Sequence, residues 1–375
     1  MLADNLIGLV VKNANERPRD VAIREKRFGI WRPMTWQELH DNIQRFALGL
    51  RAVGFENGSN LMIIGDNKPE WIIAEFASMA AGGVPTGAYP DSLAEELEYL
   101  ITYSDAAFLV VRDQEQADKI LSMWKRIKSK VTKVIVWDSR GMSHYYEEYP
   151  FMLRFEDVVA KGLEEETRQT GFLLKRATEI KPSEPAMMLT TSGTTALPTL
   201  SILSHENLIF ACDSFGQVVK MEPGDEILSA APLSWIGEQM FNVARFLKIR
   251  AHYNFPEETE TLRKDLLELQ PYYFGGTPVV WEFLISTIQA AMDNADFIKR
   301  YFYNLSIKTA LKCTEADFAG KVPSIHNRFL NRLLNFFVLR SLKNKVGLGR
   351  VRVAITGGGA ISPEVFKYFK ALGLD

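Results

Sequence analysis

Five hydroxyl side chains, Thr190, Thr191, Ser192, Thr194 and Thr195, gather around Gly193. Hydroxyls and backbone N–H groups donate hydrogen bonds, and glycine lets the backbone come close, so this set suits a polyanion such as a phosphate chain. It is not the Walker pattern, because no Gly-Lys-Ser/Thr closes it. The flanking residues say how it is positioned. The apolar run 185–189 predicts a buried strand that breaks into the loop, and Ile202-Leu203 predicts a second short strand. Ser204 predicts the N-cap of a helix, with Asn207 and Leu208 in its first turn. A solvated Ser/Thr turn is the competing reading, and placement directly after a buried strand weighs against it.

A second stretch of this kind lies far downstream. Residues 351–356 read as a strand that runs into Gly357, Gly358, Gly359 and Ala360. Ser362 then caps a helix, with Pro363 at its first position and Glu364 next. A glycine run at the carboxyl end of a strand lets a flat ligand group lie on the backbone, although alone it is a weak signal.

The elements between these motifs define the fold class. Short apolar strands at 60–64, 82–86, 107–111 and 132–137 alternate with amphipathic helices at 35–50, from Pro69 onward, at 93–103 and at 115–127. That alternation predicts an α/β protein with doubly wound, mostly parallel sheets and flanking helices. A helix is expected over 1–16 and a strand pair over 21–34. Lys181-Pro182-Ser183-Glu184-Pro185 punctuates the chain, so subdomains are expected at 1–180 and 181–375. Residues 138–150 read as a polar, aromatic-rich surface loop, Glu164-Glu165-Glu166 as a solvated helix face and Trp71 as a core anchor. Over 295–345 an apolar face (Phe329, Leu330, Leu333, Leu334, Phe337, Val338) is flanked by Arg328, Arg332, Arg340, Lys343 and Lys345. A buried helix with a basic rim is expected there, over peripheral contact with an anionic membrane surface.

Composition narrows the function. The 375 residues suffice for a large core, and 47% hydrophobic with 24% charged residues is typical of a soluble globular protein. A net charge of −2 gives no bulk basic field for nucleic acid. Two distant cysteines, Cys212 and Cys313, fit a reducing cytoplasm, and neither is expected to be catalytic. The five histidines show no metal-ligand spacing. Neither a signal peptide nor an apolar run of spanning length is read.

Residues 191–205 resemble the phosphate-binding signature of the adenylate-forming superfamily, Thr-Ser-Gly-Thr-Thr-Gly-x-Pro-Lys-Gly followed by a short strand and Ser-His. The chain keeps residues 191–195, Pro198, Ser204 and His205. It departs at Ala196 and Leu200, where the pattern has glycine, and at Thr199, where it has lysine. Residues 66–71, 80–85 and 278–282 resemble the long-chain acyl-CoA synthetase branch, and 357–360 resembles the family's adenine-flanking glycine segment.

The resemblance implies ATP-dependent activation of a long-chain fatty acid, first to acyl-adenylate and then to acyl-CoA, with ATP, Mg²⁺ and coenzyme A. It implies that Thr191, Ser192, Gly193, Thr194 and Thr195 hold phosphates. Gly357, Gly358, Gly359 and Ala360 would flank adenine and the acyl carboxylate, and Trp235, Gly275, Gly276 and Thr277 would line the acyl pocket. The family's Tyr-Gly-x-Thr-Glu segment, ribose-binding aspartate and C-terminal catalytic lysine fall beyond Asp375, so no complete catalytic set is expected in these residues and the second subdomain is expected to be incomplete. The alternatives are a non-catalytic nucleotide- or acyl-binding protein, which Thr199 favours, and an adenylating enzyme that loads a carrier protein.

Overall fold

The computed structural model describes residues 4–191 and 198–374. They fall into two compact units, Met1–Pro223 with Pro232–Phe255, and Gly224–Ala231 with Pro256–Asp375. The strands are, in chain order, β1 (Val21–Arg27), β2 (Ile30–Thr35), β3 (Asn60–Ile64), β4 (Val84–Ala88), β5 (Ala106–Val111), β6 (Lys133–Val136) and β7 (Met152–Arg154). They continue with β8 (Pro185–Thr191), β9 (Thr199–Ser204), β10 (Glu226–Leu228), β11 (His252–Phe255), β12 (Tyr273–Gly276) and β13 (Val353–Thr356).

The first unit is built on a seven-stranded sheet of order β7-β6-β5-β3-β4-β8-β9. Neighbouring strands from β7 to β8 run parallel, and β9 turns back antiparallel on β8. Residues 181–184 lead directly into β8. Side chains alternate across a strand, and here both faces are covered. Met62, Ile64, Leu109, Val111, Val134 and Val136 face one layer, with Leu97, Leu100, Ile101, Ile120 and Met123 of helices Ala94–Tyr103 and Gln114–Ile127. The intervening Leu61, Ile63, Phe108, Val110 and Ile135 are equally buried. In the same unit β1 pairs parallel with β11 and antiparallel with β2. In the second unit β10, β12 and β13 pair in parallel. The α/β class is therefore as expected, with parallel pairing dominant in both units.

Local signals set the helix ends. Helix Trp36–Ala52 starts in a capping box between Thr35 and Glu38, and helix Pro69–Ala81 starts on a proline and ends on Gly82 with φ +95°. Helix His205–Val218 begins at Ser204, whose hydroxyl accepts from Asn207 N–H, as its sequence predicts. Trp71 is a core residue, 1% exposed.

Three expectations fail. Residues 143–148, expected to be loop, form a short helix, because Tyr145 is buried and its hydroxyl donates to Asp118 Oδ1 at 2.6 Å. Glu166 is not merely solvated. It accepts from Gln44 Nε2 and Arg45 Nε at 2.7 and 3.0 Å and ties helix Phe155–Glu166 to helix Trp36–Ala52. The buried-helix expectation for 295–345 also fails: of the six apolar-face residues it named only Leu334 is buried, while Phe329, Leu333 and Phe337 are exposed. Burial falls instead on Leu334, Leu339 and Leu342; Phe329 and Leu333 are already exposed ahead of the π-turn at Asn335–Leu339, which shifts the phase only of the residues after it.

Candidate functional site

The stem of the hydroxyl loop is a hairpin base. Thr191, the last residue of β8, pairs with Thr199, the first of β9. Their hydroxyls lie 2.6 Å apart, and Thr191 Oγ1 also donates to the Thr199 carbonyl at 3.3 Å. Thr199, where the resembled pattern has lysine, thus closes the stem through a neutral hydrogen bond. The predicted phosphate residues Ser192, Gly193, Thr194 and Thr195 lie outside the described residues. His205, at the far end of β9, is buried, and its Nδ1 accepts from the Leu6 N–H at 3.3 Å. Burial holds its pKa down to about 4, so it is a neutral anchor for helix Leu6–Glu16.

The segment carrying Trp235 lies at the same sheet edge. At Gly87 of β4 a Cβ would stand 2.8 Å from both Ser234 Cα and the Trp71 ring, so glycine allows this segment to sit on the carboxyl end of β4. β4 is the parallel neighbour of β8, through Thr86 and Met188. A polar clamp holds the segment. Leu233 N–H donates to Asn67 Oδ1 at 3.0 Å, and Gln239 Nε2 donates to the Leu233 carbonyl at 2.8 Å. The same Gln239 amide donates to Glu75 Oε2 at 2.8 Å, as does Trp71 Nε1 at 3.0 Å. Glu75 is buried in helix Pro69–Ala81, and desolvation raises its pKa to about 7 despite these two bonds. Its Oε1 and the Gln239 Oε1 are both buried without a hydrogen-bond partner. A proton on Glu75 would supply a donor among these orphaned acceptors. Gln239 opens a π-turn, Gln239–Val243, which supplies Asn242 to Glu238 at 2.7 Å. Trp235 itself is half-buried and stacks over Gly237, where a Cβ would meet its ring at 2.2 Å.

In the second unit the register brings together the two predicted glycine segments. Gly275 pairs with Ile355 and Gly276 with Thr356, so the carboxyl ends of β12 and β13 lie side by side. Beyond them Gly357, Gly358, Gly359 and Ala360 turn over the start of helix Pro278–Asp293, with a Cβ at Gly359 ordinarily spaced, 3.6 Å, from Pro278. Gly358 has φ +82°, which favours glycine. Thr277 is the N-cap of that helix, but its side chain makes no capping bond. Thr356 Oγ1 is buried and has no hydrogen-bond partner. First-turn N–H groups, a bare glycine turn and an unused hydroxyl together favour a ligand rich in acceptor oxygens. Trp281 fixes the arrangement from behind, donating from Nε1 to the Ile355 carbonyl at 3.2 Å.

Sequence reasoning missed Glu75, Gln239, Asn67 as a clamp residue, and Thr356. Glu75 carried a signal: it stands four residues after Trp71 in an otherwise apolar helix, a spacing that places the two side chains together. Among the described residues, no group of three His, Cys, Asp or Glu side chains could hold a metal ion.

Two glycine-bearing strand ends beside a helix start in one unit, and a largely parallel, helix-flanked sheet in the other, define the α/β class of the chain. Residues 10–375 match the family described as AMP-binding enzyme, and the chain belongs to that family. It is 28% identical over 350 residues to the long-chain-fatty-acid–CoA ligase heimdall of Drosophila melanogaster, covering 92% of this chain and 50% of that protein. It is 24% identical to the long-chain-fatty-acid–CoA ligase ACSBG2 of Xenopus laevis, covering 94% and 47%. The chain thus spans about half the length of the curated relatives it matches. Among solved structures, it resembles the A-PCP didomain of the carboxylic acid reductase from Segniliparus rugosus in complex with AMP. The TM-score is 0.72 at 14% identity, over 98% of this chain and 51% of that one. It also resembles a long-chain-fatty-acid-CoA ligase from Archaeoglobus fulgidus, with TM-score 0.69 at 15% identity, over 98% and 60%. These likenesses speak to the fold.

Proposed function

We propose that this chain supplies the nucleotide- and acyl-binding half of an enzyme that activates a long-chain fatty acid with ATP. The carboxylate attacks the α-phosphorus, giving acyl-adenylate and pyrophosphate, and the thiol of coenzyme A then displaces AMP. In this reading Thr191, Ser192, Gly193, Thr194 and Thr195 bind the β- and γ-phosphates, where donors stabilise developing charge. Gly357, Gly358, Gly359 and Ala360 flank adenine and the acyl carboxylate, and Trp235, Gly275, Gly276 and Thr277 line the acyl site. Mg²⁺ arrives with the triphosphate, whose oxygens would supply most of its ligands. The observation that carries the reading is the meeting of residues 275–277 and 357–360 around the unused Thr356 hydroxyl.

The experiment is fatty-acid-dependent exchange of labelled pyrophosphate into ATP, followed by thioester formation with coenzyme A. Exchange that depends on a long-chain acid supports the proposal. Binding of ATP without exchange, in a chain completed through the family's C-terminal elements and in its Thr199→Lys variant, supports the second reading, a non-catalytic nucleotide-binding protein. Thr199 favours that second reading, because its neutral hydroxyl stands where the family pattern has a cation. Acyl transfer to a carrier protein in preference to coenzyme A would move the assignment to a carrier-loading enzyme.

A further inference from the structure

The second unit has a surface that the catalytic reading does not use. Helix Ile325–Leu334 and the π-turn Asn335–Leu339 pack beside helix Phe297–Phe318, and the groove between them has a volume of about 510 Å³. Phe302, Leu333, Phe337 and Val338 line it, with Lys299 and Lys345 among the lining residues. Phe337 of the lining is 68% exposed, and along the same helices, outside the lining, Phe329 is 67%, Phe297 79% and Ile325 87% exposed. Isolated exposed apolar residues are ordinary, but several large ones on two adjoining helices mark an interaction surface.

The charge of this segment is as unusual as its apolarity. Between Asp317 and Glu364 the sequence has no aspartate or glutamate, yet it carries Lys321, Arg328, Arg332, Arg340, Lys343, Lys345, Arg350 and Arg352. The whole chain has a net charge of −2, so the positive charge is concentrated here. Arg328, Arg332 and Arg340 are exposed along with the phenylalanines. On the 297–302 side Lys299 is paired with Asp296 at 2.8 Å, but along 325–345 the apolar face has only cations beside it, which matches the interface of an anionic bilayer, where acyl chains receive the aromatic side chains and phosphates face the cations. A second copy of this chain would bring the same positive charge against itself, which argues against self-association through this face.

We propose that residues 297–302 and 325–345 form a peripheral docking surface for anionic lipid bilayers, with Ile325, Phe329 and Phe337 entering the interface and Arg328, Arg332 and Arg340 facing lipid phosphates. No helix among the described residues is long and apolar enough to cross a membrane, so the mode is surface contact. The inference is independent of catalysis.

The test is flotation of the whole chain with vesicles of phosphatidylcholine alone or with 30% phosphatidylglycerol, a composition of about one anionic lipid in three that gives a strongly negative surface. The chain should float with the anionic vesicles at low salt and be released as salt rises. R328E/R332E should weaken binding by about tenfold or more, since each reversal replaces attraction with repulsion. F329S/F337S should also reduce it, with the circular dichroism and melting of each variant checked. Because every one of these positions is exposed, the arginine pair keeps the test valid if the phenylalanine pair misfolds. A tryptophan at the most exposed position, I325W, gives a positive readout: its emission should shift to the blue on anionic vesicles and be quenched by brominated lipid. Failure to float, equal flotation with neutral vesicles, or flotation unchanged by the arginine reversals would overturn the proposal. So would a chain that stays off vesicles but dimerises in solution and becomes monomeric in F329S/F337S, which would assign the face to a second copy.

Discussion

Glu75 and His205 are two buried ionisable groups whose pKa values burial moves in opposite directions. Between about pH 4.5 and 7 the native chain holds a proton on Glu75 that the unfolded chain has lost, so this group lowers stability as pH rises through that window. At its upper end the penalty is on the order of 3 kcal/mol. Glu75→Gln keeps an acceptor for Trp71 and adds a donor toward Gln239. Its urea midpoint should exceed that of the parent at pH 8 and approach it at pH 5; equal midpoints at pH 8 would contradict the raised pKa. His205 acts with the opposite sign. From about pH 6.5 down to 4 the unfolded chain binds a proton that the native chain refuses, so stability falls as pH falls. His205→Gln retains an acceptor for Leu6 N–H and should flatten acid unfolding in that range. His205→Ala leaves that N–H unpaired and should cost about 1–3 kcal/mol at neutral pH, a cost that shrinks as pH falls below 6.5 because the parent then loses its own margin. Thr199 gives a third prediction for a single residue. Replacing it with lysine in a completed chain should speed fatty-acid-dependent pyrophosphate exchange, and an unchanged rate would mean the missing cation is not limiting.

Helix packing depends on two glycines at one crossing. At Gly162 of helix Phe155–Glu166 a Cβ would stand 1.7 Å from the Arg45 carbonyl oxygen, and at Gly49 of helix Trp36–Ala52 it would stand 1.9 Å from that of Val158. Backbone cannot yield as a flexible side chain can. Gly162→Ala should therefore destabilise by about 1–3 kcal/mol, although alanine is the better helix former. A midpoint at or above the parent's would show that the helices separate at no cost. Much of this level of structure was legible from sequence. The β8 run, the Ser204 cap, Pro69 and the alternation of strands and helices each rest on a local rule that tertiary contacts had no reason to override. Helix 143–148 was not legible, because its stability comes from Tyr145 reaching Asp118 on another helix. The burial of 325–345 was not legible either, because periodicity finds an apolar face but not whether another element covers it: Phe329 and Leu333 are exposed ahead of the π-turn, which changes the period only afterwards. For the candidate site, sequence pointed to the glycine segments, but only strand register could pair Gly276 with Thr356. Glu75 showed a spacing signal, whereas its partner Gln239 lies 164 positions away in the chain.

For the whole molecule, the simplest test of the nucleotide reading is thermodynamic. A ligand held at a hundred times its dissociation constant stabilises the native state by about 2.7 kcal/mol. Saturating ATP with Mg²⁺ should therefore raise the melting temperature by about 2–5 °C. Mg²⁺ alone should give no comparable shift, since no described carboxylate cluster awaits it. A melting curve indifferent to nucleotide would contradict the reading for this chain. If melting proceeds in two steps, in keeping with the two compact units, the step that moves identifies the unit carrying most of the binding energy.

The π-turn at Gln239–Val243 sets the rotational phase of helix Ala244–Ile249. Each residue of an α-helix rotates the chain by about 100°, so one extra residue in a turn acts like a tooth skipped on a gear. The skip lets Gln239 reach Glu75 while Arg245, Phe246 and Leu247 still point into the interior. Such a segment tolerates exchange of its side chains better than a change in its length. Losing one residue between 239 and 243 would restore a regular helix with those three side chains still inside, at the expense of the Gln239 contact with Glu75.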